Sequence, residues 1–348
     1  MRQNLLIAMA TMSLMVGNTN LMKADEIHPI MAQKQQNTIK FADSILENAI
    51  REQLKISKTT PLTLDKLAKI TVLETTNNPT TSDEQKIKSL VGIENLKNLT
   101  SLKLSFHKIT DIQPVAKLSN LKELDLGVNQ IIDITPLKGL TKLTTLDLSR
   151  NQITDIKPLA GLTKLTRLEL IGNQIKDITP LAKLSNLTLL YLTENQITDI
   201  IPLAKLSKLS ELELINNQIT DIKPLAKLSN LTLLYLSENQ IKDIQSLGSL
   251  SKLKELYLGQ NQITDITSLS KLSNLTFLYL DKNQITDITS LGKLSNLTLL
   301  YLGNNQIKDI KVLTSLSKLK ELDLKGNPIK DCQILPEKLR SNCVDGSR

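Results

Sequence analysis

Hydrophobic and polar positions follow one pattern through most of the chain. From Leu99 onward a 22-residue unit recurs without insertion or deletion, and it reads LxxLxLxxNxIxxIxxLxxLxx. Position 9 of the unit identifies its eleven copies, at His107, Asn129, Asn151, Asn173, Asn195, Asn217, Asn239, Asn261, Asn283, Asn305 and Asn327. Such regularity predicts a repeat array over residues 99–327 rather than a set of globular domains.

Each unit combines a strand with a segment that must coil back over it. Positions 3 to 7 alternate, as in Leu189–Thr193, which is the period of a strand. Leu at positions 4 and 6 therefore faces one side, and positions 3, 5 and 7 face the other. The Ile at 11 and 14 and the Leu at 1, 17 and 20 lack that period, so they join the same core only if the chain coils. Each buried aliphatic side chain is worth roughly 2 kcal/mol, and stacked coils close each other's open ends.

Two polar positions recur for structural reasons. A buried Asn at position 9 carries two donors and an acceptor for backbone groups of its own and the adjacent coil, and we interpret His107 as an edge substitution in this ladder. Asp at position 13 recurs from Asp111 to Asp331. A calcium ladder needs several oxygens at one point, which one Asp per coil does not supply. We expect these Asp side chains to cap the turn that follows, and we expect no metal.

The segment before the repeats has helical character. In Phe41–Leu54 the residues Ile45, Leu46, Ala49 and Ile50 fall on one helical face. Thr63 is a candidate cap for a second helix over Leu64–Ala68, ahead of a strand-like Ile70–Leu73. The polar stretch Thr75–Gln85 replaces most of one coil, and we expect a loop there.

With these features the chain resembles the 22-residue leucine-rich-repeat class of the bacterial internalins, roughly from Ile39 to Asn327. The resemblance implies an α/β repeat solenoid, curved and right-handed. It also implies a parallel concave sheet that grips a protein ligand, short 3₁₀ or irregular convex segments and a helical N-terminal cap. An internalin array is typically followed by an immunoglobulin-like domain. Here a short cysteine-containing segment follows instead, so host-cell invasion is not carried over.

The first residues read as an export signal. Met1 and Arg2 precede an apolar stretch, Leu5–Val16, which is shorter than the roughly 20 residues that span a bilayer. We expect cleavage after Ala24; a cut after Gly17 and an uncleaved leader remain alternatives. Cys332 and Cys343 fit an oxidising compartment, where we expect them to form a disulfide. The protein is thus expected to be secreted or periplasmic, without a transmembrane anchor.

These observations predict a division of the chain into six parts. They are a signal peptide at 1–24, a disordered mature N-terminus at 25–38, a helical cap at 39–74, a loop and partial first coil at 75–98, the repeats at 99–327 and a C-terminal cap at 328–348.

Composition argues against an enzyme. The chain has no Trp and two His, and neither His28 in the polar tail nor His107 in the ladder completes a nucleophile–His–acid set. Phosphate-loop and zinc-site spacings are missing from the sequence. We therefore expect no catalytic residues and no cofactor.

The candidate binding residues lie on the concave face. All five tyrosines occupy position 5, and position 3 is apolar in four of those units, which predicts an exposed stripe of the kind that marks interfaces. Tyrosines copied by repeat duplication without use are the alternative. The candidate protein-binding residues are Leu189, Tyr191, Leu233, Tyr235, Tyr257, Phe277, Tyr279, Leu299, Tyr301, Glu211, Glu213 and Glu255.

Charge is divided between the two sides of the repeats. Positions 3 and 5 hold nine acids, with Lys103 and Arg167 as the only bases, whereas positions 19 and 22 of the first ten units hold eleven lysines and no acid. The net charge of +8 is thus expected on the back. An acidic concave face disfavours nucleic acid, whose phosphates need Lys or Arg. It favours a basic or mixed-charge protein partner, held by a monomer.

The leading hypothesis is a secreted or periplasmic adaptor, adhesin or effector that binds a protein. An intracellular scaffold similar to phosphatase-regulating repeat proteins is a second possibility, opposed by the leader and the cysteine pair. A third is attachment to envelope surfaces or polyanions through the lysine-rich back, which would show steep salt dependence.

Overall fold

The computed structural model describes residues 38–75 and 77–343. The expected signal peptide, the expected disordered segment up to residue 37 with His28, and the last five residues of the expected C-terminal cap lie outside this part of the chain. Helix α1 spans Ser44–Leu54, and helix α2 spans Leu64–Leu67. Asp43 begins α1 by accepting the backbone N–H groups of Ile45 and Leu46 at 2.9 and 3.2 Å. Thr63 occupies the N-cap position of α2 but makes no capping hydrogen bond with its side chain.

Twelve parallel strands form one sheet in chain order, each three residues long. Eleven of them lie within 99–327, as the repeat predicts. The strands are β1 (Val72–Glu74), β2 (Ser101–Lys103), β3 (Glu123–Asp125), β4 (Thr145–Asp147), β5 (Arg167–Glu169), β6 (Leu189–Tyr191), β7 (Glu211–Glu213), β8 (Leu233–Tyr235), β9 (Glu255–Tyr257), β10 (Phe277–Tyr279), β11 (Leu299–Tyr301) and β12 (Glu321–Asp323).

Strand β1 is offset from the position that the sequence predicts. The strand-like segment Ile70–Leu73 begins with a turn, in which the Ile70 N–H bonds to the Leu67 carbonyl. Leu73 then pairs with Leu102, 29 positions later instead of 22. The polar stretch Thr75–Gln85 contains the extra residues of this first coil, including a 3₁₀ turn at Asp83–Gln85.

The convex side is built from 3₁₀ turns at positions 15 to 19. Eleven Asp side chains at position 13 each accept the backbone N–H two residues later, so the capping interpretation is confirmed; Asp199 and Ile201 are an example at 2.8 Å. The turns are Gln113–Lys117, Thr135–Gly139, Lys157–Gly161, Thr179–Lys183, Ile201–Lys205, Lys223–Lys227, Gln245–Ser249, Thr267–Lys271, Thr289–Lys293 and Lys311–Ser315. Two further 3₁₀ segments lie at Ile93–Asn95, with three residues, and at Glu337–Asn342, with six.

The aliphatic residues of the repeat form one continuous core. Leu and Ile at positions 1, 4, 6, 11, 14, 17 and 20 are almost fully buried in coil after coil. Burial continues into the N-terminal cap through Leu46 and Ile50, and into the C-terminal segment through Leu335 and Leu339. Both ends of the stack are therefore covered.

The buried Asn side chains join each coil to the one before it. Asn217 Nδ2 lies 3.0 Å from the Leu192 carbonyl oxygen of the preceding coil and 3.2 Å from that of Leu214 in its own coil. Its Oδ1 accepts the N–H of Ile197, again in the preceding coil, at 3.0 Å. The same set recurs along the array, as the ladder interpretation predicts.

His107 takes the place of an Asn at the head of the ladder. Its Nδ1 accepts the N–H of Ile87 at 3.1 Å, the bond that Asn Oδ1 accepts elsewhere. With Nδ1 as acceptor, the proton lies on Nε2, which donates to Thr75 Oγ1 at 2.7 Å. The neutral ring is therefore the form that fits, and burial lowers the pKa of His107 to about 4.

Each of the eleven repeats leaves its strand through a left-handed residue at position 8. Nine of the eleven are not glycine, and they include Phe106 at φ 62° and Val128 at φ 53°. For L-residues this conformation costs roughly 1–2 kcal/mol, most of all for β-branched side chains. It turns the chain so that Asn at position 9 points inward. Gly172, at φ 63°, adopts it without that cost.

The Cys332–Cys343 disulfide predicted from the sequence is confirmed. The two Cα atoms are 5.9 Å apart. Cys332 occupies position 14, where the other coils have a buried Ile, and is itself buried. The bridge thus ties the last 3₁₀ segment to the core of the final coil.

Asn217→Ala should lower the free energy of unfolding by about 2–4 kcal/mol, because several buried backbone groups lose their partner. Chemical denaturation measures the change. Gln218→Ala, beside it but exposed, is the control and should cost under about 0.5 kcal/mol. Equal losses in both variants would refute the role of the ladder.

The His107 imidazole should make stability depend on pH. Its folded pKa of about 4 lies below the ordinary value of 6.5, so the unfolded chain binds more protons between these values. The contribution of neutral His107 to the free energy of unfolding should be fully present above pH 6.5 and should be lost as the pH drops toward 4. His107→Asn keeps an acceptor but does not titrate. The melting temperature of this variant should therefore change less between pH 6.5 and pH 4 than that of the wild type. An unchanged pH profile in the variant would contradict the assignment.

Cys343→Ser should destabilise the last coil by about 3 kcal/mol in the chain-entropy model of a short closed loop, measured by thermal unfolding. Mass spectrometry of the non-reduced wild-type protein should find one internal bridge. Two thiols open to alkylation in native protein would overturn the pairing.

Candidate protein-binding face

The concave face is lined by side chains at positions 3, 5 and 7 of the strands. Parallel pairing in register places each position-5 residue beside its equivalents in the neighbouring coils. The twelve residues predicted as a binding surface all lie on this face, and all are partly exposed. They are more sheltered than the exposed stripe that the sequence predicts, because neighbouring side chains cover part of each.

Four tyrosines form a continuous stack along the face, which we call the tyrosine stack (Tyr235, Tyr257, Tyr279 and Tyr301). Ring centroids are 4.3 Å apart in the first pair, 5.6 Å in the middle and 4.3 Å in the last pair. The rings are nearly parallel, with interplanar angles of 12°, 18° and 20°. Each inner ring is therefore covered on both faces, and the stack presents ring edges and hydroxyl groups.

Glutamate carboxylates at position 3 accept hydrogen bonds from tyrosine hydroxyls. Tyr191 donates to Glu211 at 3.0 Å, and Tyr301 donates to Glu321. Burial, followed by the bond to Glu211, raises the pKa of Tyr191 to about 12. The bond to Glu321 is the main cause that raises the pKa of Tyr301 to about 12. Burial also raises the pKa of Tyr235, Tyr257 and Tyr279. The hydroxyls are thus protonated donors at any physiological pH.

Apolar side chains flank the tyrosines. Leu189, Leu233, Phe277 and Leu299 occupy position 3 as predicted, and all are partly buried. Two residues that sequence reasoning missed, Ile171 and Ile215, are partly buried at position 7 on the same side. Strand alternation assigns them there, but position 7 holds Ser, Gly, Thr or Asp in most other units, which hides the signal.

The N-terminal half of the face is acidic. Burial raises the pKa of Asp125 and of Glu169, and in each case the Asp147 carboxylate adds to the effect. Arg167 donates to Glu169 at 2.6 Å. Its guanidinium also lies 5.5 Å from the centre of the Tyr191 ring, a cation–π arrangement.

The lysines at positions 19 and 22 are all exposed on the opposite side. Four of those at position 22 donate to the Asn at position 22 of the preceding coil, as Lys208 does to Asn186 at 2.8 Å. Those at position 19 end the 3₁₀ turns, where a positive charge suits the carbonyl end. The partition of charge expected from the sequence is present in the structure.

The described residues contain neither a cluster of metal-ligating side chains nor a membrane-spanning helix. Between residues 38 and 343, leaving out 76, no cluster of His, Cys, Asp and Glu is suited to hold a metal ion. Within the same part of the chain, no helix is long and apolar enough to cross a membrane.

Comparison with known families and structures identifies this architecture. The family model of leucine-rich repeats in two copies matches nine overlapping segments that together cover 97–183 and 185–337. A comparison with curated protein sequences gives no match.

Solved structures from bacteria and plants share the fold. The structure of an internalin (inlF) from Listeria monocytogenes is 37% identical over 86% of this chain and 94% of that one, with a TM-score of 0.75. A leucine-rich-repeat protein from Leptospira interrogans is 29% identical over 84% and 77%, with a TM-score of 0.71. The ectodomain of the Arabidopsis thaliana receptor kinase GASSHO1/SCHENGEN3, in complex with CASPARIAN STRIP INTEGRITY FACTOR 2, is 26% identical over 68% and 31%, with a TM-score of 0.63.

The family match spans more than half of the chain, and the Listeria structure is matched over nearly its whole length. The chain therefore belongs to the leucine-rich-repeat family, as a bacterial protein of the internalin-like class.

Proposed function

We propose that the chain is an extracytoplasmic binding protein, an adaptor, adhesin or effector, that holds a protein partner on its concave face. The observation that carries this proposal is the tyrosine stack between acidic and apolar neighbours. Tyrosine side chains bring a large contact area and a polar tip to protein interfaces. Leu233, Phe277 and Leu299 widen the apolar area on one side of the stack.

The geometry of the stack favours a protein over a sugar or a nucleic acid. Bases and sugars bind aromatic side chains on exposed ring faces, whereas the inner rings of the tyrosine stack cover each other. Carboxylates along the same face oppose phosphates. Ring edges, hydroxyls and flanking leucines suit a partner that combines apolar side chains with hydrogen-bond acceptors and positive charge.

The proposed location rests on the cysteine pair and on the predicted leader. A structural disulfide such as Cys332–Cys343 is typical of proteins outside the reducing cytoplasm. The intracellular-scaffold alternative predicts an uncleaved chain with reduced thiols in the cytoplasm. Fractionation followed by mass spectrometry of the N-terminus separates the two.

Tyr235→Ala, Tyr257→Ala and Tyr279→Ala combined should abolish measurable partner binding, since hot-spot tyrosines typically contribute about 2 kcal/mol or more each. The partner is first isolated by pull-down against envelope and host-surface fractions, and affinity is then measured by calorimetry. The substitutions also remove stacking contacts worth about 0.5–1.5 kcal/mol per pair, so thermal unfolding must show that the variant is folded. The corresponding triple Phe variant keeps the stack but removes three hydroxyl donors, so its affinity should lie between those of the wild type and the triple Ala variant.

The matched control changes the opposite surface. Lys183→Ala, Lys205→Ala and Lys227→Ala combined should leave affinity for a concave-bound protein nearly unchanged. The lysine-rich back is the attachment surface if wild-type binding weakens steeply with salt and the lysine variant does not bind, while the folded tyrosine variant binds normally. That result would reverse the proposal.

A further inference from the structure

The row of position-5 side chains contains a gap in its tyrosines. Tyr191 on β6 and Tyr235 on β8 are separated by Glu213 on β7, which is paired with both strands. With strands about 4.8 Å apart, the two tyrosine Cα atoms are roughly 10 Å apart. Tyr191 is thus the one tyrosine outside the stack. We call Tyr191, Glu213 and Tyr235 the Glu213 notch.

On the side of Tyr191 that faces β5, a positively charged side chain lies between the tyrosine ring and a position-5 carboxylate. There the Arg167 guanidinium lies 5.5 Å from the ring centre and bonds to Glu169 at 2.6 Å. Glu169 is the position-5 residue before Tyr191, as Glu213 is the one after it. The chain therefore fills one tyrosine–carboxylate pair with its own arginine.

The Glu213 notch has the same groups without the cation. The position-3 residues around it are Leu189, Glu211 and Leu233, none of which is basic. Within residues 38–343, leaving out 76, no ion pair reaches the Glu213 carboxylate. The positive charge that lowers the pKa of Glu213 is that of Arg167, which is already bound to Glu169.

The electrostatics of the notch favour the entry of a cation. Burial raises the pKa of Glu213, and the carboxylates of Glu169 and Glu211 raise it further. Glu213 in turn contributes to the raised pKa values of both Tyr191 and Tyr235, so its charge acts on both hydroxyls. A positive group between the rings would compensate the carboxylates and contact two π-systems.

We propose that the Glu213 notch binds an arginine side chain of the protein partner. With ring centres spaced as the strands are, a guanidinium midway between the rings would lie about 5 Å from each, inside the roughly 6 Å range of cation–π contacts. A guanidinium can bond to the Glu213 carboxylate through two N–H donors and stack on an aromatic ring, which a lysine ammonium does less well. The inference deepens the proposed function, because the arginine is assigned to the protein partner.

A small probe tests the notch independently of any partner. The full chain is labelled with ¹³C-tyrosine and titrated with N-acetylarginine methylamide, followed by NMR. The ring signals of Tyr191 and Tyr235 should shift in a saturable way, whereas those of Tyr257, Tyr279 and Tyr301 should move little. The citrulline analogue has the same shape without the charge and should cause shifts several-fold smaller.

Glu213→Gln should weaken probe binding about tenfold, since it removes the charge and keeps the shape. Glu321→Gln is the matched control, because Glu321 also lies on the concave face beside a tyrosine but is five strands away from Glu213, and its effect should be less than twofold. Tyr191→Leu leaves the four-ring stack in place and should weaken the probe as well. Circular dichroism checks that each variant is folded.

Probe shifts at Tyr257, Tyr279 and Tyr301 equal to those at Tyr191 and Tyr235 would overturn the assignment. So would equal binding of the citrulline analogue, or equal losses in Glu213→Gln and Glu321→Gln. The two proposals fail separately. If the probe binds the notch but the tyrosine triple variant keeps its protein partner, the concave interface is wrong and the notch stands. If the partner needs the tyrosines but the probe does not bind, only the notch is wrong.

Discussion

The buried Asn at position 9 is the interaction on which the rest of the structure depends. A coil that turns off a three-residue strand leaves inward backbone groups without sheet partners, and burying them unpaired would cost about 1–3 kcal/mol each. The amide of Asn217 lies within hydrogen-bond distance of carbonyls in two coils and accepts an N–H from the earlier one. It satisfies the turn and fixes the spacing between coils with the same atoms. At the head of the ladder His107 performs the acceptor part with a ring nitrogen.

This arrangement separates folding from recognition. Positions 1, 4, 6, 9, 11, 14, 17 and 20 are committed to the core and ladder, whereas positions 3, 5 and 7 form a surface that the fold does not constrain. That freedom allows an acidic half, a tyrosine stack and an apolar flank on one sheet. It also explains the left-handed residues at position 8: inward placement of the Asn outweighs a local cost even for Val128.

Much of the fold follows from the sequence because one unit is repeated until its period is unmistakable. The 22-residue pattern predicts the eleven strands within the repeats, the burial of the aliphatic positions, the Asn ladder and the Asp caps. It does not predict the register of β1, since the extra residues of the first coil break the period. The left-handed backbone at Phe106 and Val128 is not predicted either, because neither residue is a glycine.

The face of the tyrosines follows from strand alternation, but their arrangement does not. Stacking, the bonds from Tyr191 to Glu211 and from Tyr301 to Glu321, and the isolation of Tyr191 depend on side-chain rotamers and on which residues meet across neighbouring strands. Sequence reasoning finds the candidate residues one by one. The structure shows which of them act together.

The ladder has a mechanical consequence. Sheet hydrogen bonds and Asn bonds both run from coil to coil, so they lie along the axis of the solenoid. Tension between the two ends would load these interfaces in series, and coils would part at the weakest interface while the others stayed closed. The final coil and the segment after it are linked covalently by Cys332–Cys343. At the opposite end, the first interface is bridged by His107, which bonds to Thr75 and to the Ile87 N–H of the coil before it.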